Sequence, residues 1–477
     1  MTKPHSPDGG QGVSRVERVR DAGPVPAWRP RPGGAAAYRR CVRLLHTSDW
    51  HLGRSFHRVG MLGAQAAFVD SLVETVRSER VDVVLVAGDV YDRALPGVDV
   101  VALLDDTLAR LAGAGATVVL SSGNHDSPTR LGFASRLLER AGVHVRTDPA
   151  GCGRPVLLED RHGPVALYPL PYLEPALVAG SLGLPAGSGR SHEAVLGAAT
   201  AAVRADLAAR PAGTRSVVAA HAFVVGGQPS DSERDISVGG VGSVPAGVFA
   251  GVDYVALGHL HGRQVLAGPG GGAVEGSVRY SGSPLAYSFS EAGHVKGSWL
   301  VELGAGGVEA VEAVEAPVPR PLAVLRGDLE ELLADPALEA DRGSWCQVTL
   351  TDGQRPRDAM SRLRVRFPHT VELRFEPRGA VASPSYAART AGRGDLDVCC
   401  DFLAHVRGRD ADDAEREVLR DAVEGVRVGS AAERGLAPAR AGRSLLAGRP
   451  RPGDADPGQA REAGSEADGV ADLRSAG

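Results

Sequence analysis

The chain has 477 residues, of which 43% are hydrophobic, and this length predicts more than one hydrophobic core and therefore two or more domains. Its formal net charge of −5 leaves the class of partner open, because contacts with phosphate groups need only a local basic stripe. Five cysteines without Cys-Xaa-Xaa-Cys spacing, and no apolar run of about 18 residues, exclude a zinc site, a disulfide framework and a membrane span. We therefore expect a cytoplasmic protein without membrane contact.

Residues 1–40 come first and are rich in proline, glycine and arginine without hydrophobic periodicity, so we expect a disordered N-terminal extension. Five short apolar runs follow, each with the nearly continuous hydrophobicity of a strand buried on both faces of a layered α/β sheet. They span residues 42–46, 81–86, 117–120, 216–220 and 254–257. Ligands of such sheets bind beyond the carboxyl ends of the strands, so we expect the loops after these runs to meet.

Metal-ligand residue types occupy the loop after each of these five runs. They are Asp49 and His51, Asp89, Asn124 and His125, His221, and His259 and His261. Carboxylate, imidazole and amide groups in this mixture suit divalent metals such as Mn²⁺ or Fe²⁺. One histidine or one Asp-Xaa-His segment is usually a surface or turn feature. Five such loops after five strands instead predict a two-metal phosphoesterase site.

These five loops resemble the signatures of the calcineurin-like metallophosphoesterases. Four longer segments, at residues 46–53, 88–93, 122–127 and 280–291, resemble the SbcD family of nuclease subunits, which is related to the Mre nucleases. The resemblance covers about residues 42–428. It implies an α/β fold, namely a four-layer α/β/β/α metallophosphoesterase sandwich with a smaller α+β cap domain and C-terminal helices.

The resemblance also implies a role for each polar residue. The expected ligands of one metal are Asp49, His51, Asp89 and His261, and those of the other are Asp89, Asn124, His221 and His259. Asp89 would bridge, because two dications about 3.5–4 Å apart need negative charge between them. His125 would be catalytic, contacting the scissile phosphate and steadying or protonating the leaving oxygen. Asp92 and Asp126 either orient the ligand imidazoles or stabilise their own turns, and both alternatives stay open.

Beyond the fifth loop the pattern changes and divides the rest of the chain. Apolar runs at 322–325, 345–350 and 370–375 predict strands, with helical stretches near 328–336 and 356–365 between them. Residues 399–428 have a helical apolar stripe made of Ala414, Val418, Leu419, Ala422, Val423 and Val426. The predicted parts are a disordered extension at 1–40, a metallophosphoesterase nuclease domain at 41–315, an α+β cap domain at 316–398, a helical partner-binding segment at 399–428 and a disordered tail at 429–477.

The resemblance implies the reaction and the partners. We expect a two-metal, Mn²⁺-dependent phosphodiesterase, with Fe²⁺ or Mg²⁺ as alternative metals, that acts on DNA ends and hairpins. The family activities are 3′–5′ double-strand exonuclease and single-strand or hairpin endonuclease. No Gly-Xaa4-Gly-Lys-Ser/Thr motif occurs, so we expect no ATP site in this chain, and any ATP dependence would come from an SbcC-type coiled-coil ATPase. The alternatives are a small-molecule calcineurin-like phosphodiesterase and a catalytically silent DNA-end scaffold.

A homodimer, and with the ATPase a heterotetramer, also follows from the resemblance. Apolar helical faces after the second and third loops would pair with their copies, although burial against the sheet is the alternative. These faces carry Val101, Leu104, Leu108 and Leu111, and Leu131, Ala134, Leu137 and Leu138. The apolar stripe of residues 399–428 would dock on the ATPase or, alternatively, pack on its own cap.

Overall fold

The computed structural model describes residues 41–185, 191–234, 242–266, 277–378, 393–407 and 409–433. The predicted N-terminal extension and residues 434–477 of the predicted tail lie outside the described residues. The strands are, in chain order, β1 (Val42–Thr47), β2 (Ser55–Phe56), β3 (Val59–Gly60), β4 (Val83–Ala87), β5 (Thr117–Ser121), β6 (Val143–Arg146), β7 (Val156–Asp160), β8 (Gly163–Pro169), β9 (Arg215–His221), β10 (Phe223–Val224), β11 (Ser243–Val244), β12 (Tyr254–Gly258), β13 (Gln264–Leu266), β14 (Val278–Tyr280), β15 (Gly297–Gly304), β16 (Gly307–Glu315), β17 (Leu322–Gly327), β18 (Trp345–Leu350) and β19 (Thr370–Phe375). The α-helices are α1 (Leu62–Ser78), α2 (Val98–Gly113), α3 (Pro128–Leu131), α4 (Ser135–Leu138), α5 (Pro175–Val178), α6 (His192–Ala208), α7 (Leu329–Ala334), α8 (Ala359–Arg366), α9 (Asp395–Arg407) and α10 (Asp413–Glu433).

Two six-stranded sheets form the larger part of the fold. Their strand orders are β16-β15-β1-β4-β5-β6 and β13-β14-β12-β9-β8-β7. In the first sheet β1, β4, β5 and β6 are parallel, whereas β15 is antiparallel to both β1 and β16. In the second sheet β14, β12, β9 and β8 are parallel, and only the edge strands β13 and β7 are antiparallel to their neighbours. All five apolar runs predicted to be strands are strands, and they are β1, β4, β5, β9 and β12. Their carboxyl ends are therefore brought together as expected.

The two sheets face each other, and each has helices on its outer face. Side chains alternate across a strand, so neighbouring residues of β1 enter different layers. Leu44 packs between the sheets with Leu85 and Val217, whereas Leu45 packs with Phe68 of α1 on the outside. Helix α6 covers the outer face of the second sheet through a separate core cluster. The four-layer α/β/β/α sandwich is thereby confirmed.

The segment after the third loop differs from its prediction. One helical face was expected over residues 131–138, but the chain forms the one-turn helices α3 and α4, because Ala134 between them is left-handed (φ 58°). The expectation of a continuous helix there is wrong. The face after the second loop is helical, as expected, and Leu104 and Leu111 of α2 are buried against the first sheet.

The smaller part has a parallel sheet, β17-β18-β19, with α7 and α8 packed on it around a core that contains Leu329, Val348 and Phe367. Its strands coincide with the three predicted apolar runs. The C-terminal stretch forms two helices. Helix α9 begins at Asp395, before the predicted boundary at 399, and α10 ends at Glu433, beyond the predicted boundary at 428.

Candidate metal centre

The polar side chains of the five loops converge at the carboxyl ends of the two sheets. Three sets each bring ligand atoms within 4.8 Å of one another, and all of their members are buried: Asp49, His51 and His261; His51, Asp89 and His125; and Asp49, Asp89 and His221. The register explains the convergence, because His221 and Gly258, the last residues of β9 and β12, are paired neighbours. The two remaining predicted ligands are also at the cluster. Asn124 Oδ1 lies 2.8 Å from His221 Nε2, and the His259 ring meets the His221 ring edge-on at 5.3 Å between centroids.

The backbone is strained where it presents these side chains. Asp49, His51, Asp89 and His259 all have positive φ angles, of 53°, 44°, 48° and 104°. Such conformations cost on the order of 1–3 kcal/mol each and persist where the surrounding structure enforces them, often at functional sites. Asp and His tolerate this region better than branched side chains do, which suits their use here.

Two glycines allow the strand ends to approach each other. A Cβ added to Gly258 would lie 1.8 Å from the Ala87 carbonyl oxygen, so the ends of β12 and β4 could not remain as close together as they are. A Cβ added to Gly88, whose φ is +84°, would lie 2.3 Å from His221 Nδ1. Both positions therefore require glycine for the loops to close around the cluster.

Hydrogen-bond acceptors face one another at His221. Its Nδ1–H donates to the Ala87 carbonyl over 3.1 Å, so Nε2 is the ring nitrogen left to act as a ligand. That nitrogen lies 2.8 Å from Asn124 Oδ1 and 3.5 Å from Asp89 Oδ2. Three acceptors aimed at one point fit a cation between them, and their nitrogen, amide and carboxylate chemistry suits a divalent metal.

The same arrangement occurs at His261. The Ser232 hydroxyl donates to Glu291 Oε1 over 2.6 Å, so its oxygen accepts from His261 Nδ1–H. The lone pair on His261 Nε2 then points at His51 Nε2, 3.0 Å away. His51 Nε2 is in turn 3.6 Å from Asp89 Oδ2. The residues present therefore fit a second metal, with Asp89 between the two positions.

Burial sets the charge state of this cluster. It raises the pKa of the Asp49 carboxyl to about 7 and lowers the pKa values of the His51 and His259 imidazoles well below their usual range. Neutral imidazole is the form that ligates metal, so no proton has to leave these rings for binding near pH 7. Positive charge between these groups would also favour the ionised form of the Asp49 carboxyl.

His125, Asp92 and Asp126 surround the ligands in different ways. His125 Nδ1–H donates to the Asp92 carbonyl over 2.8 Å, which leaves Nε2 toward the cluster, 3.9 Å from Asp89 Oδ2. The Asp92 carboxylate lies 3.8 Å from His51 Nδ1. The Asp126 carboxylate accepts from the backbone N–H groups of Gly123, Val90 and Tyr91 and so fastens the third loop to the second. Asp126 thus makes turn-stabilising contacts, whereas Asp92 lies beside two imidazoles.

Several known proteins are similar to this chain in sequence. Residues 42–263 match the family described as calcineurin-like phosphoesterase, and residues 318–407 match the family described as the Type 5 capsule protein repressor C-terminal domain. Over 301 residues the chain is 34% identical to the SbcD subunit of the nuclease SbcCD from Escherichia coli strain K12, and the match covers 61% of this chain and 73% of that protein. The chain belongs to the SbcD family. The values are the same for the corresponding protein of Escherichia coli O157:H7.

A solved structure, that of a dimetal phosphatase from Danio rerio, is also similar to this SbcD-family chain. The identity is 14%, and the match covers 58% of this chain and 100% of that one. Its TM-score of 0.35 is too low to support an inference about function. In the described part of the chain, no helix combines the length and apolar character needed to cross a membrane.

Several side chains at this SbcD-family site could not be predicted from the five loop motifs. Gln65 of α1 donates to the His51 carbonyl over 2.8 Å, and Tyr287 donates to the Trp50 carbonyl over 2.8 Å. Both hold the first loop in its strained conformation. Gln65 had a signal, because it is a polar residue on the apolar stripe of α1 formed with Phe68 and Leu72. Tyr287 and Glu291 lie in the 280–291 segment, which resembles the family but does not by itself indicate what either side chain contacts.

Proposed function

We propose that this chain is the two-metal DNA nuclease subunit of an SbcCD-type complex. One observation carries the proposal, namely the close approach of the ligand atoms. His221 Nε2 lies 2.8 Å from Asn124 Oδ1 and 3.5 Å from Asp89 Oδ2, and His51 Nε2 lies 3.0 Å from His261 Nε2 and 3.6 Å from Asp89 Oδ2. The site residues keep the roles expected of them, with Asp49, His51, Asp89 and His261 for one metal, Asp89, Asn124, His221 and His259 for the other, and His125 as the catalytic group. The similarity to the SbcD proteins of the two Escherichia coli SbcCD nucleases supports DNA as the substrate.

The side chains prepare the site for phosphodiester hydrolysis. Two divalent metals held by these residues would lower the pKa of a bound water to near neutral and offset the negative charge on the phosphate oxygens. His125 is held by its Nδ1–H bond to the Asp92 carbonyl, so Nε2 is the atom that meets the phosphate. In its protonated form, Nε2–H donates to the leaving oxygen and stabilises its charge. Gln65 and Tyr287 keep the first loop, and with it His51, in position.

We propose Mn²⁺ as the physiological metal, because the donor set suits Mn²⁺ and Fe²⁺ better than Mg²⁺. Mg²⁺ prefers oxygen ligands and retains several waters, whereas this cluster supplies His51, His221, His259 and His261. Fe²⁺ accepts the same mixture of nitrogen and oxygen, so Fe²⁺ is the first alternative and Mg²⁺ the second.

An SbcC-type ATPase would act in trans on this chain. Val418 and Val426 of α10 are 68% and 71% exposed, so much of the predicted apolar stripe faces away from the described fold. This exposure favours partner docking over packing on the chain's own cap. ATP dependence and the 3′–5′ double-strand exonuclease and hairpin endonuclease activities belong to the same proposal, as does a cytoplasmic location.

The homodimer would use the surface near the second and third loops. Phe133 and Leu137 are 81% and 66% exposed there, together with Val98 at 89%. We propose a nuclease domain at 41–315 and a cap domain that begins at 316, with helices α9 and α10 after the cap sheet for the ATPase.

A substrate panel tests the function. Full-length chain with Mn²⁺ is given 3′-labelled duplex DNA, a DNA hairpin, single-stranded DNA and a cyclic nucleotide, with and without the SbcC-type ATPase and ATP. We expect cleavage of DNA, with ATP-dependent cleavage of duplex ends only when the ATPase is present. Turnover of the cyclic nucleotide alone would favour the small-molecule phosphodiesterase, and no turnover of any substrate would favour the silent scaffold.

A further inference from the structure

A buried ion pair lies on the Nδ1 side of the His261 ring. Lys296 Nζ contacts Glu291 Oε2, and the side chains of the two residues are 6% and 0% exposed. Lys296 is one of only two lysines in the chain. Burying two charges costs several kcal/mol per ion, and apolar side chains of similar volume often stabilise a fold equally well or better. Stability alone therefore does not account for this ion pair. Its role is better inferred from the groups to which Lys296 and Glu291 are hydrogen-bonded.

The pair holds His261 through both its backbone and its ring. Lys296 Nζ donates to the His261 carbonyl over 2.8 Å and to Ser283 Oγ over 3.0 Å. Glu291 Oε1 accepts the Ser232 hydroxyl, whose oxygen accepts from His261 Nδ1–H. The relay from Glu291 through Ser232 thus fixes the tautomer that leaves Nε2 as a ligand. Glu233 adds a further contact, because its Oε1 accepts from the His261 backbone N–H over 2.7 Å.

The corresponding support at His221 is different. Its Nδ1–H donates to the neutral Ala87 carbonyl over 3.1 Å, whereas the Asp49 carboxylate is 3.9 Å from that nitrogen, beyond hydrogen-bond distance. A carboxylate at the end of a hydrogen-bond relay raises the basicity of the ligand imidazole more than a neutral carbonyl does. The imidazoles on the two sides of Asp89 are therefore unequal ligands.

We propose that Glu291, Ser232 and Lys296 are positioning residues that make the metal site containing His261 the tighter of the two. This inference rests on the two-metal centre proposed above and adds an order of affinity to it. Loss of such an outer partner typically weakens metal binding about 10–100-fold. The weakening should fall on the His261 site alone, because the relay has no hydrogen bond to His221.

The test is a Mn²⁺ titration of full-length, chelator-stripped chain, with free Mn²⁺ followed by its electron paramagnetic resonance signal. We expect wild type to bind two ions with unequal affinities. Glu291→Gln should weaken the tighter site about 10-fold or more and leave the weaker one unchanged. Glu312→Gln is the matched control, because Glu312 is exposed on β16 and the same change there should alter neither site.

A second pair of variants guards against misfolding of Glu291→Gln. Ser232→Ala breaks the relay without leaving a buried charge uncompensated, and Ser232→Thr keeps the hydroxyl. We expect the alanine variant to lose affinity at the tighter site and the threonine variant to retain it, a difference that general structural damage would not produce. If wild type binds no Mn²⁺, the two-metal centre itself is refuted. If wild type binds two ions and both Glu291→Gln and Ser232→Ala bind them unchanged, or weaken both sites equally, only the present inference is overturned.

Discussion

Replacing Gly258 by alanine should greatly reduce the rate of DNA cleavage, although Gly258 itself is not an expected metal ligand. The added Cβ would lie 1.8 Å from the Ala87 oxygen, and real Cβ contacts are essentially never below 3.0 Å. The strand ends must therefore separate by about 1.2 Å, the difference between these distances. Gly258 immediately precedes His259, and Ala87 is two residues before Asp89, so ligands on both sheets move. A misplacement of about 1 Å typically costs about 100-fold in rate, and overpacking costs about 1–3 kcal/mol of stability.

The assay is Mn²⁺-dependent hydrolysis of a labelled DNA, with thermal unfolding measured on the same samples. Gly247→Ala is the control, because an added Cβ at Gly247 meets nothing within 4 Å. We expect kcat/KM to fall about 100-fold for Gly258→Ala and to stay unchanged for Gly247→Ala. Equal activity in the two variants would refute the claim that the close approach of β12 and β4 sets the ligand geometry.

Three further changes have defined outcomes. Asp160→Asn removes one partner of the buried pair with Arg215 and should cost about 3–5 kcal/mol in urea unfolding at pH 7. Burial raises the pKa of Asp160, but Arg215 together with the backbone N–H groups of His162 and Val42 lowers the pKa overall. This stabilisation is therefore present above about pH 4 and is lost as pH falls through the folded-state pKa, so a difference between variant and wild type that grew on acidification would contradict the sign. Val418→Asp combined with Val426→Asp should abolish co-purification with the SbcC-type ATPase and leave metal content unchanged. If the double variant still binds the ATPase, the stripe packs on the chain's own cap instead. Phe133→Glu should convert a dimer to a monomer in light scattering, and a wild-type monomer at micromolar concentration would end the dimer proposal.

The sequence was most informative where the local pattern and the tertiary structure impose the same requirement. Strands buried on both faces must be apolar along their whole length, so β1, β4, β5, β9 and β12 could be predicted, and with them the edge where their loops meet. The cap strands β18 and β19 were located to the residue for the same reason. The break at Ala134 could not be predicted, because alanine favours a continuous helix and its left-handed conformation is set by tertiary context.

The ligand types were visible in the sequence, whereas the groups that orient them were not. The groups that orient His261 are distant from it along the chain, and only the fold brings them into contact with it. They are Ser232, Glu291 and Lys296. No local spacing predicts this relay, because Ser232 is 29 residues from His261 and 59 residues from Glu291, and only Glu291 and Lys296 are close along the chain, 5 residues apart. The choice between the two roles of Asp126 likewise needed the positions of the Val90 and Tyr91 amides.

We propose a two-metal centre bridged by Asp89 and completed by a catalytic His125. The most direct test is metal content by elemental analysis, after reconstitution with Mn²⁺, of wild type, Asp89→Asn and His125→Ala, with DNA cleavage measured on the same samples. Asp89→Asn removes the charge shared by both positions, so we expect it to lose metal and activity together. His125→Ala should retain two metals per chain and lose turnover, because its Nε2 acts on the substrate. Loss of both metals from His125→Ala, or two metals in Asp89→Asn with full cleavage, would contradict the account.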